Sequence, residues 1–382
     1  MRSSVDALSE DTNQAVESNP AADSARPAPE RVSPRERRVS YPVVLVLLGA
    51  ALMVAVVVGL AVGSVSLPPT DVVAILGQQV FPGWIDPGWP ATYDTILLDV
   101  RLPRVLLAGI VGAGLSAVGT ALQALVRNPL ADPFLLGISS GASLGAVTLL
   151  VTGATVLGTL ATPMVAAFAG SMVTLAAVYA LASSGGRMTT TRLVLAGVAL
   201  SYVLSALTDL LLSTASDPHL MASIRFWRLG SVAGTEWQTL PIPAIVVLVG
   251  LAVLLWQSGS LNLLLAGEES AGTLGLDVHR FRTGMFVLVS LMTGVMVAVS
   301  GAIGFVGLMV PHAVRMLVGA DHRRVLPTAT LLGATFLILA DLAARTVAAP
   351  QEIQLGVLTA LCGGPFFVWL LRRQTRREKA DR

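Results

Sequence analysis

The side chains able to do chemistry in this sequence are few, and most of them stand where charge is costly. Asp209, His312 and Asp341 fall within or at the edges of long uncharged runs. Inside a membrane such groups are expensive, and they mark ion pathways, proton relays or partners of opposite charge. Asp209 and Asp341 lie near the ends of their runs, where a carboxylate reaches water. His312 follows Pro311, so its ring is placed to serve backbone groups that the proline frees. Two separated carboxylates and one imidazole are thin material for a proton relay, and each reads first as a structural group.

Other chemistries are missing. A nucleotide-binding loop needs a lysine inside GxxxxGK[ST] to reach the phosphates. The sole lysine, Lys379, lies between Glu378 and Ala380. There is no HExxH, and no cluster of Cys and His. Cys362 is the only cysteine, so an intramolecular disulfide and a multi-cysteine metal site are excluded. It reads as a small apolar core residue. The expectation is therefore no catalytic residue, no metal and no cofactor bound by this chain. The arginines are scattered between apolar runs rather than gathered on one polar face, so no nucleic acid is expected as a partner.

The elements that must position these groups are membrane spans. The chain of 382 residues is 54% hydrophobic and only 13% charged, against roughly 25% charge in soluble domains. Mean hydropathy is +0.75. The organising stretch opens with Arg101, Pro103 and Arg104. It continues as an uncharged run over 105–126, long enough to cross a bilayer. Within it Ala108, Gly112, Ser116 and Thr120 recur every four residues. Gly109, Ala113, Ala117 and Ala121 repeat one position on. Lipid gives no hydrophobic push between helices, so small residues at this spacing mark a helix packed backbone to backbone. Gly112, Ser116 and Thr120 are the expected contact positions.

Ten uncharged runs are predicted as spans, at about 42–63, 105–126, 134–151, 157–182, 193–212, 242–256, 284–300, 302–318, 326–344 and 353–371. The division between the seventh and eighth is slight, a mere Gly301-Ala302-Ile303-Gly304. The fold class is an all-α polytopic membrane bundle, a transmembrane domain over 42–372. Residues 1–41, rich in Ser, Pro, Ala and acids, are expected to be a disordered cytoplasmic extension. Residues 373–382 form a basic cytoplasmic tail. The loop 64–99 has no Lys or Arg and carries Asp71, Asp86, Asp94, Asp99, Trp84, Trp89 and Tyr93.

The positive-inside rule tests the count. With both termini in the cytoplasm, Arg127, Arg187, Arg192, Arg280, Arg282, Arg323, Arg324 and the tail arginines all fall inside. Outside lie only Arg101, Arg104, Arg225, Arg228 and Arg345, which need a reason of their own. One inner connection, 262–279, is unusual. Gly267, Glu268, Glu269, Ser270, Ala271, Gly272, Thr273, Leu274, Gly275 and Leu276 make a short, polar, Gly-punctuated helical piece. It reads either as an interfacial helix or as a docking element for a cytoplasmic motor.

Several separated motifs then appear in order: Arg101-Leu-Pro-Arg104, Gln123-Ala-Leu-Val-Arg-Asn-Pro-Leu-Ala131, Leu136-Gly-Ile-Ser-Ser-Gly-Ala142, Arg192-Leu-Val-Leu-Ala-Gly197, Gly267 to Leu276, and Gly304-Phe-Val-Gly-Leu-Met-Val-Pro-His312. Over about 42–373 the chain resembles the permease subunits of ABC importers for iron–siderophore complexes, haem and vitamin B12. That resemblance implies ten spans in the plasma membrane of a bacterium and a second permease subunit, identical or related. It also implies two ATPase subunits that use ATP and Mg, and a solute-binding protein on the outer face. It puts Arg101, Arg104 and Arg345 at the binding-protein docking positions. Gly267 to Leu276 falls at the ATPase coupling helices, and Thr190 and Thr191 at the cytoplasmic gate. Iron(III)–siderophore is the expected substrate, haem or cobalamin the alternatives. An ion-coupled secondary transporter and a membrane scaffold are the readings from other classes.

Overall fold

The centre of the molecule is a helix made almost entirely of small and aliphatic residues. In the computed structural model, which describes residues 40–63, 65–83, 88–153, 163–183, 190–215 and 217–380, this helix is α4 (Leu102–Val126). Before it come α1 (Tyr41–Ala61), α2 (Pro69–Val80) and α3 (Ala91–Asp94), which runs through a π-helical turn, Thr95–Arg101, into α4. After it come α5 (Ile138–Thr152), α6 (Pro163–Ser183), α7 (Thr190–Thr214), α8 (Pro218–Arg228) and α9 (Pro241–Trp256). Then follow α10 (Ser258–Leu265), α11 (Glu268–Thr273), α12 (Val278–Ser300), α13 (Val306–Val318), α14 (His322–Thr346) and α15 (Leu355–Ala380). Among the described residues there is no strand. The expected disorder of 1–41, for all but its last two residues, lies outside the described residues. So do Trp84, Asp86, Arg187 and the start of the fourth predicted span.

Seven helices are long and apolar enough to cross a membrane: Tyr41–Ala61, Ala91–Val126, Pro163–Ser183, Thr191–Thr214, Trp237–Trp256, Val278–Ser300 and His322–Thr346. Ile138–Thr152, Val306–Val318 and Leu355–Leu370 are shorter apolar helices. The protein is an all-helical integral membrane protein, and each of its ten predicted runs overlaps one of these segments.

Absent side chains hold α4 in place. A Cβ on Gly112 would run into the carbonyl of Gly333 on α14, and one on Gly119 into the backbone of Gly307 on α13. Ser116 faces Gly333, and Thr120 Oγ1 donates to Ser116 O at 2.8 Å. Backbones this close gain dispersion along the whole crossing, the association term that works in lipid. The same device joins α5 to α6, where Gly141 and Gly145 meet Gly170 and Ala166.

Three expectations change. The second span is a continuous 36-residue helix, Ala91–Val126, and the supposed loop 64–99 contains α2 as well. Leu97 is fully buried, and Arg101 and Arg104 find partners within the bundle, so the helix extends past the charges. Pro103 has no N–H and its ring crowds the carbonyl four residues back; the wider π turn makes room. Cys362 is exposed rather than in the core, because α15 turns Thr359 and Gly363 inward instead. The basic tail continues α15 as helix to Ala380.

The slight seventh-to-eighth division is a real break. After Ser300, residues 301–304 are not helical, and Phe305 takes a left-handed φ of 67° before α13 begins. With 13 residues, α13 spans only ~20 Å. It starts partway along α4, at the level of Gly119.

Candidate functional site

Two features sit at opposite ends of α4. At the Leu102 end, three guanidinium groups converge. Arg101 Nη1 donates to Leu60 O at 2.6 Å and to Ala61 O at 3.0 Å, and its Nη2 donates to Val65 O. Arg345 Nη2 donates to Gly59 O at 2.5 Å. The carbonyls of Gly59, Leu60 and Ala61 close α1, where the last turn leaves four acceptors without helical partners and a partial negative charge. Arg101 and Arg345 are thus a cationic cap on α1.

Arg104 is held by carboxylates. Its Nε donates to Asp341 Oδ1 at 2.9 Å, and its Nη1 and Nη2 reach Glu352 Oε1 and Oε2 at 2.9 and 3.0 Å. Asp341 is fully buried and also lies 3.5 Å from Arg345 Nε, one helical turn on. Three arginines against two carboxylates leave one net positive charge. They face a cavity of about 310 Å³, lined by Ile96, Arg101, Arg104, Arg345, Pro350 and Glu352.

The sequence reading takes these arginines as outward charges for docking. The structure brings the three together, yet leaves them 4%, 9% and 8% exposed. Each is engaged inside the chain and lines the cavity. Glu352 was missed. Nothing in its local sequence ties it to a residue 248 positions away. The four-residue spacing of Asp341 and Arg345 was the available hint.

At the Val126 end, Leu265 of α10 lines the same pocket as Gln123 and Arg127. This places the segment 267–276 beside that end. Gly267 has φ 114°, a conformation side chains resist, and so turns the chain sharply from α10 into α11. Gly275, at φ 87°, ends α11 in a Schellman motif: Leu276 N–H donates to Ala271 O and Gly275 N–H to Gly272 O. Ala271 is buried, whereas Glu269, Ser270, Gly272, Thr273, Leu274 and Gly275 are exposed, Leu274 at 67%. The segment is anchored to α12 by Glu268 Oε1 and Arg282 Nη2, 2.7 Å apart.

The remaining predicted residues are scattered. Thr190 opens α7 and Thr191 is exposed there; the connection before them, 184–189, lies outside the described residues. Asp209 pairs with Arg228 at 2.9 Å on the surface. His312 packs edge-on against Phe366, centroids 6.1 Å apart. With Asp341 clamped by arginines, none of the three ionisable groups stands free. Among the described residues no three His, Cys, Asp or Glu side chains could hold a metal ion.

One further carboxylate was overlooked. Asp132, in the connection between α4 and α5, accepts from Phe134 N at 2.8 Å and from the backbone of Phe305. Burial pushes its pKa up from 3.8 to about 6, against those hydrogen bonds. Asp-Pro-Phe, a carboxylate before a proline turn, was the readable signal.

Comparison with known proteins decides the family. Residues 51–373 match the FecCD transport family. The chain belongs to that family. It is 43% identical over 286 residues to the cobalamin import system permease of Halobacterium salinarum, covering 75% of each chain. It is 44% identical over 281 residues to the hemin transport system permease of Yersinia pestis, covering 73% of this chain and 84% of that one. Among solved structures it is similar to a metal-chelate type ABC transporter in an inward-facing conformation. That match has a TM-score of 0.75 and 34% identity, over 87% of this chain and 100% of the other. This FecCD-family protein is an ABC transporter permease, with a transport role rather than a catalytic one.

Proposed function

We propose that this permease forms the path for an iron(III)–siderophore complex, crossing the plasma membrane of a bacterium ten times with both termini inside. A second permease subunit completes the path. Two ATPase subunits grip the inner face and use ATP and Mg, and a solute-binding protein docks outside. The observation that carries this reading is the placement of its two working ends. The arginine cavity and the 267–276 segment lie at opposite ends of α4, separated by the ~37 Å that 25 helical residues span.

The arginine cavity offers a net positive, enclosed site to a carboxylate of the binding protein, the planar fork matching its two oxygens. The inner segment offers an exposed Leu274 flanked by polar residues on a helix stiffly terminated at both ends. ATPase closure would push that lever, and Thr190 and Thr191 at the start of α7 would gate the inner mouth. The named relatives carry cobalamin and hemin, and the solved relative a metal chelate. All are metals wrapped in a large organic ligand, the class to which an iron–siderophore belongs.

The test is ATP hydrolysis by the full complex in proteoliposomes, with binding protein loaded in turn with ferric siderophore, haem and cobalamin. Stimulation by the siderophore form supports the reading. Stimulation by haem or cobalamin alone reassigns the substrate. Uptake that follows an ion gradient without ATPase subunits overturns it.

A further inference from the structure

The segment 267–276 is joined to the bundle differently on its two sides. Before it, α10 is built into the core, with Leu261 and Leu264 fully buried. Asn262 ties α10 to the start of α14: its Nδ2 donates to Asp321 Oδ1 at 2.7 Å, and its Oδ1 accepts from His322 N at 2.9 Å. After it, α11 leads into α12 through Leu274 to Asp277, with Gly275 at φ 87°. The glycine turns set the segment's own shape. Glycine is conformationally permissive, so they do not set its orientation to α12.

One contact does. Glu268 opens α11, at the end of that helix away from the chain's own link to α12. Its Oε1 lies 2.7 Å from Nη2 of Arg282, in the second turn of α12. The main chain and the ion pair thus attach α11 to α12 at both ends of its six residues, ~9 Å apart by helical rise. Two attachments fix an angle where one leaves a swivel. Among the described residues this is the one polar side-chain bond between 267–276 and the rest of the chain.

Stability does not account for Arg282. The residue is 8% exposed, and its Nε is buried without a partner. An unsatisfied buried donor costs free energy. The single Nη2 contact also forgoes the bidentate fork that makes arginine–carboxylate pairs strong. A methionine would fill a comparable space without that cost.

What Arg282 stands on is a rod. The helix α12 runs unbroken from Val278 to Ser300. It is locked sideways where Gly294 meets Ser171 and Met172 of α6, and where Met292 meets Gly250 of α9. Its far end is jointed to the end of α8: Ser231 N donates to Ser300 O at 2.8 Å, and a Cβ on Gly301 would strike Trp227 O. From Arg282 to Ser300 the rod spans ~27 Å.

We propose that Arg282 is a positioning residue for transport. By holding Glu268 it makes α11 and α12 one body, so that displacement of the segment arrives at the α8 joint and at the break before α13. This rests on the reading of 267–276 as the ATPase coupling segment.

The experiment uses the full transporter, permease with its ATPase, in nanodiscs and in a Cys362→Ser background. Gly304→Cys, where an added Cβ meets nothing within 4 Å, reports the break by its rate of reaction with a thiol reagent. The rate is measured without nucleotide and with ATP and vanadate. Arg282→Gln and Glu268→Gln each break the contact, and Glu268→Arg with Arg282→Glu restores it in reverse. Arg280→Gln removes a charge from the neighbouring exposed pair with Asp277. Melting temperatures confirm folding; should Arg282→Gln unfold, Glu268→Gln breaks the same contact from its half-exposed side.

Nucleotide should change the rate at least about tenfold with the contact intact, and less than about twofold in either single variant. The reversed pair should recover at least about half of the response, Arg280→Gln should keep all of it, and the ATPase should stay bound throughout. A full response in either single variant, no recovery in the reversed pair, an equal loss in Arg280→Gln, or a label indifferent to nucleotide from the start overturns the proposal. Glu269→Ala with Leu274→Ala separates the two levels. If that variant keeps the response, the coupling reading falls and the role of Arg282 falls with it. If it abolishes the response while Arg282→Gln does not, only the role of Arg282 falls.

Discussion

The two ends of α4 are built on opposite plans. At the Leu102 end the three arginines and Asp341 are buried, and each arginine is bonded to the chain itself: Arg101 and Arg345 to the carbonyls of α1, Arg104 to Asp341 and to the exposed Glu352. At the Val126 end, segment 267–276 hangs on one ion pair and one buried alanine, and most of its surface is free. Burying an ion pair is costly unless geometry and hydrogen bonds are good, so the first end is fixed before any partner arrives. The second end stores little. It is shaped by two glycine turns and owes its rigidity to them. A rigid socket suits a partner that comes and goes at one surface. An exposed lever suits a motor that stays attached and moves.

The contrast breaks first at Asp341. Asp341→Ala leaves Arg104 and Arg345 with an uncompensated buried charge and should cost about 3–5 kcal/mol, read as a large drop in melting temperature. A loss below about 1 kcal/mol would show that the clasp is not what fixes this end.

In the connection between α4 and α5, Asp132 gives the next largest effect. Its folded pKa, raised from 3.8 to about 6, means that the carboxylate destabilises the fold above pH 6. The penalty is relieved as pH falls from 6 towards 4. A shift of about two units corresponds to at most about 3 kcal/mol. Asp132→Asn should flatten the dependence of melting temperature on pH across that window, and an unchanged slope would assign it to another group.

Gly119→Val tests the backbone contact that ties both ends together. The added side chain meets Gly307, and overpacking of this kind costs about 1–3 kcal/mol, again measured by thermal unfolding.

The remaining changes touch function rather than stability. Glu269→Ala with Leu274→Ala alters exposed groups and should move stability by less than about 0.5 kcal/mol. It should lower ATPase stimulation by roughly tenfold, a coupling loss of about 1.4 kcal/mol. Normal stimulation would make the segment an ordinary inner loop. Glu352→Gln, which loosens one partner of Arg104, should tighten binding-protein docking severalfold, about 1 kcal/mol or less, measured by surface-immobilised titration. Unchanged docking would confine that arginine to a structural role.

Much of this was legible in the sequence because membranes write in composition. The four-residue repeat through Gly112, Ser116 and Thr120 predicts close helix packing, and α4 touches α14 and α13 there. The glycines of 267–276 predict a short bounded helix, and α11 is one. What escaped depends on partners that no local pattern announces. Arg101 is bonded to main-chain carbonyls, which every residue has. Glu352 reaches Arg104 across most of the chain. The helix over Ala91–Val126 runs through charges that hydropathy counts as loop. The face of α15 bearing Cys362 could be judged apolar from sequence, but not inward or outward.

The account rests on the arginine cavity and the coupling segment lying on opposite faces of the membrane. In a Cys362→Ser background, Val65→Cys reports the cavity rim and Leu274→Cys the lever; both parent residues are exposed, at 45% and 67%. Each is labelled with an impermeant thiol reagent in right-side-out and in inverted sealed vesicles. The account predicts that Val65→Cys reacts only in the first and Leu274→Cys only in the second. Labelling of both from the same side would contradict it.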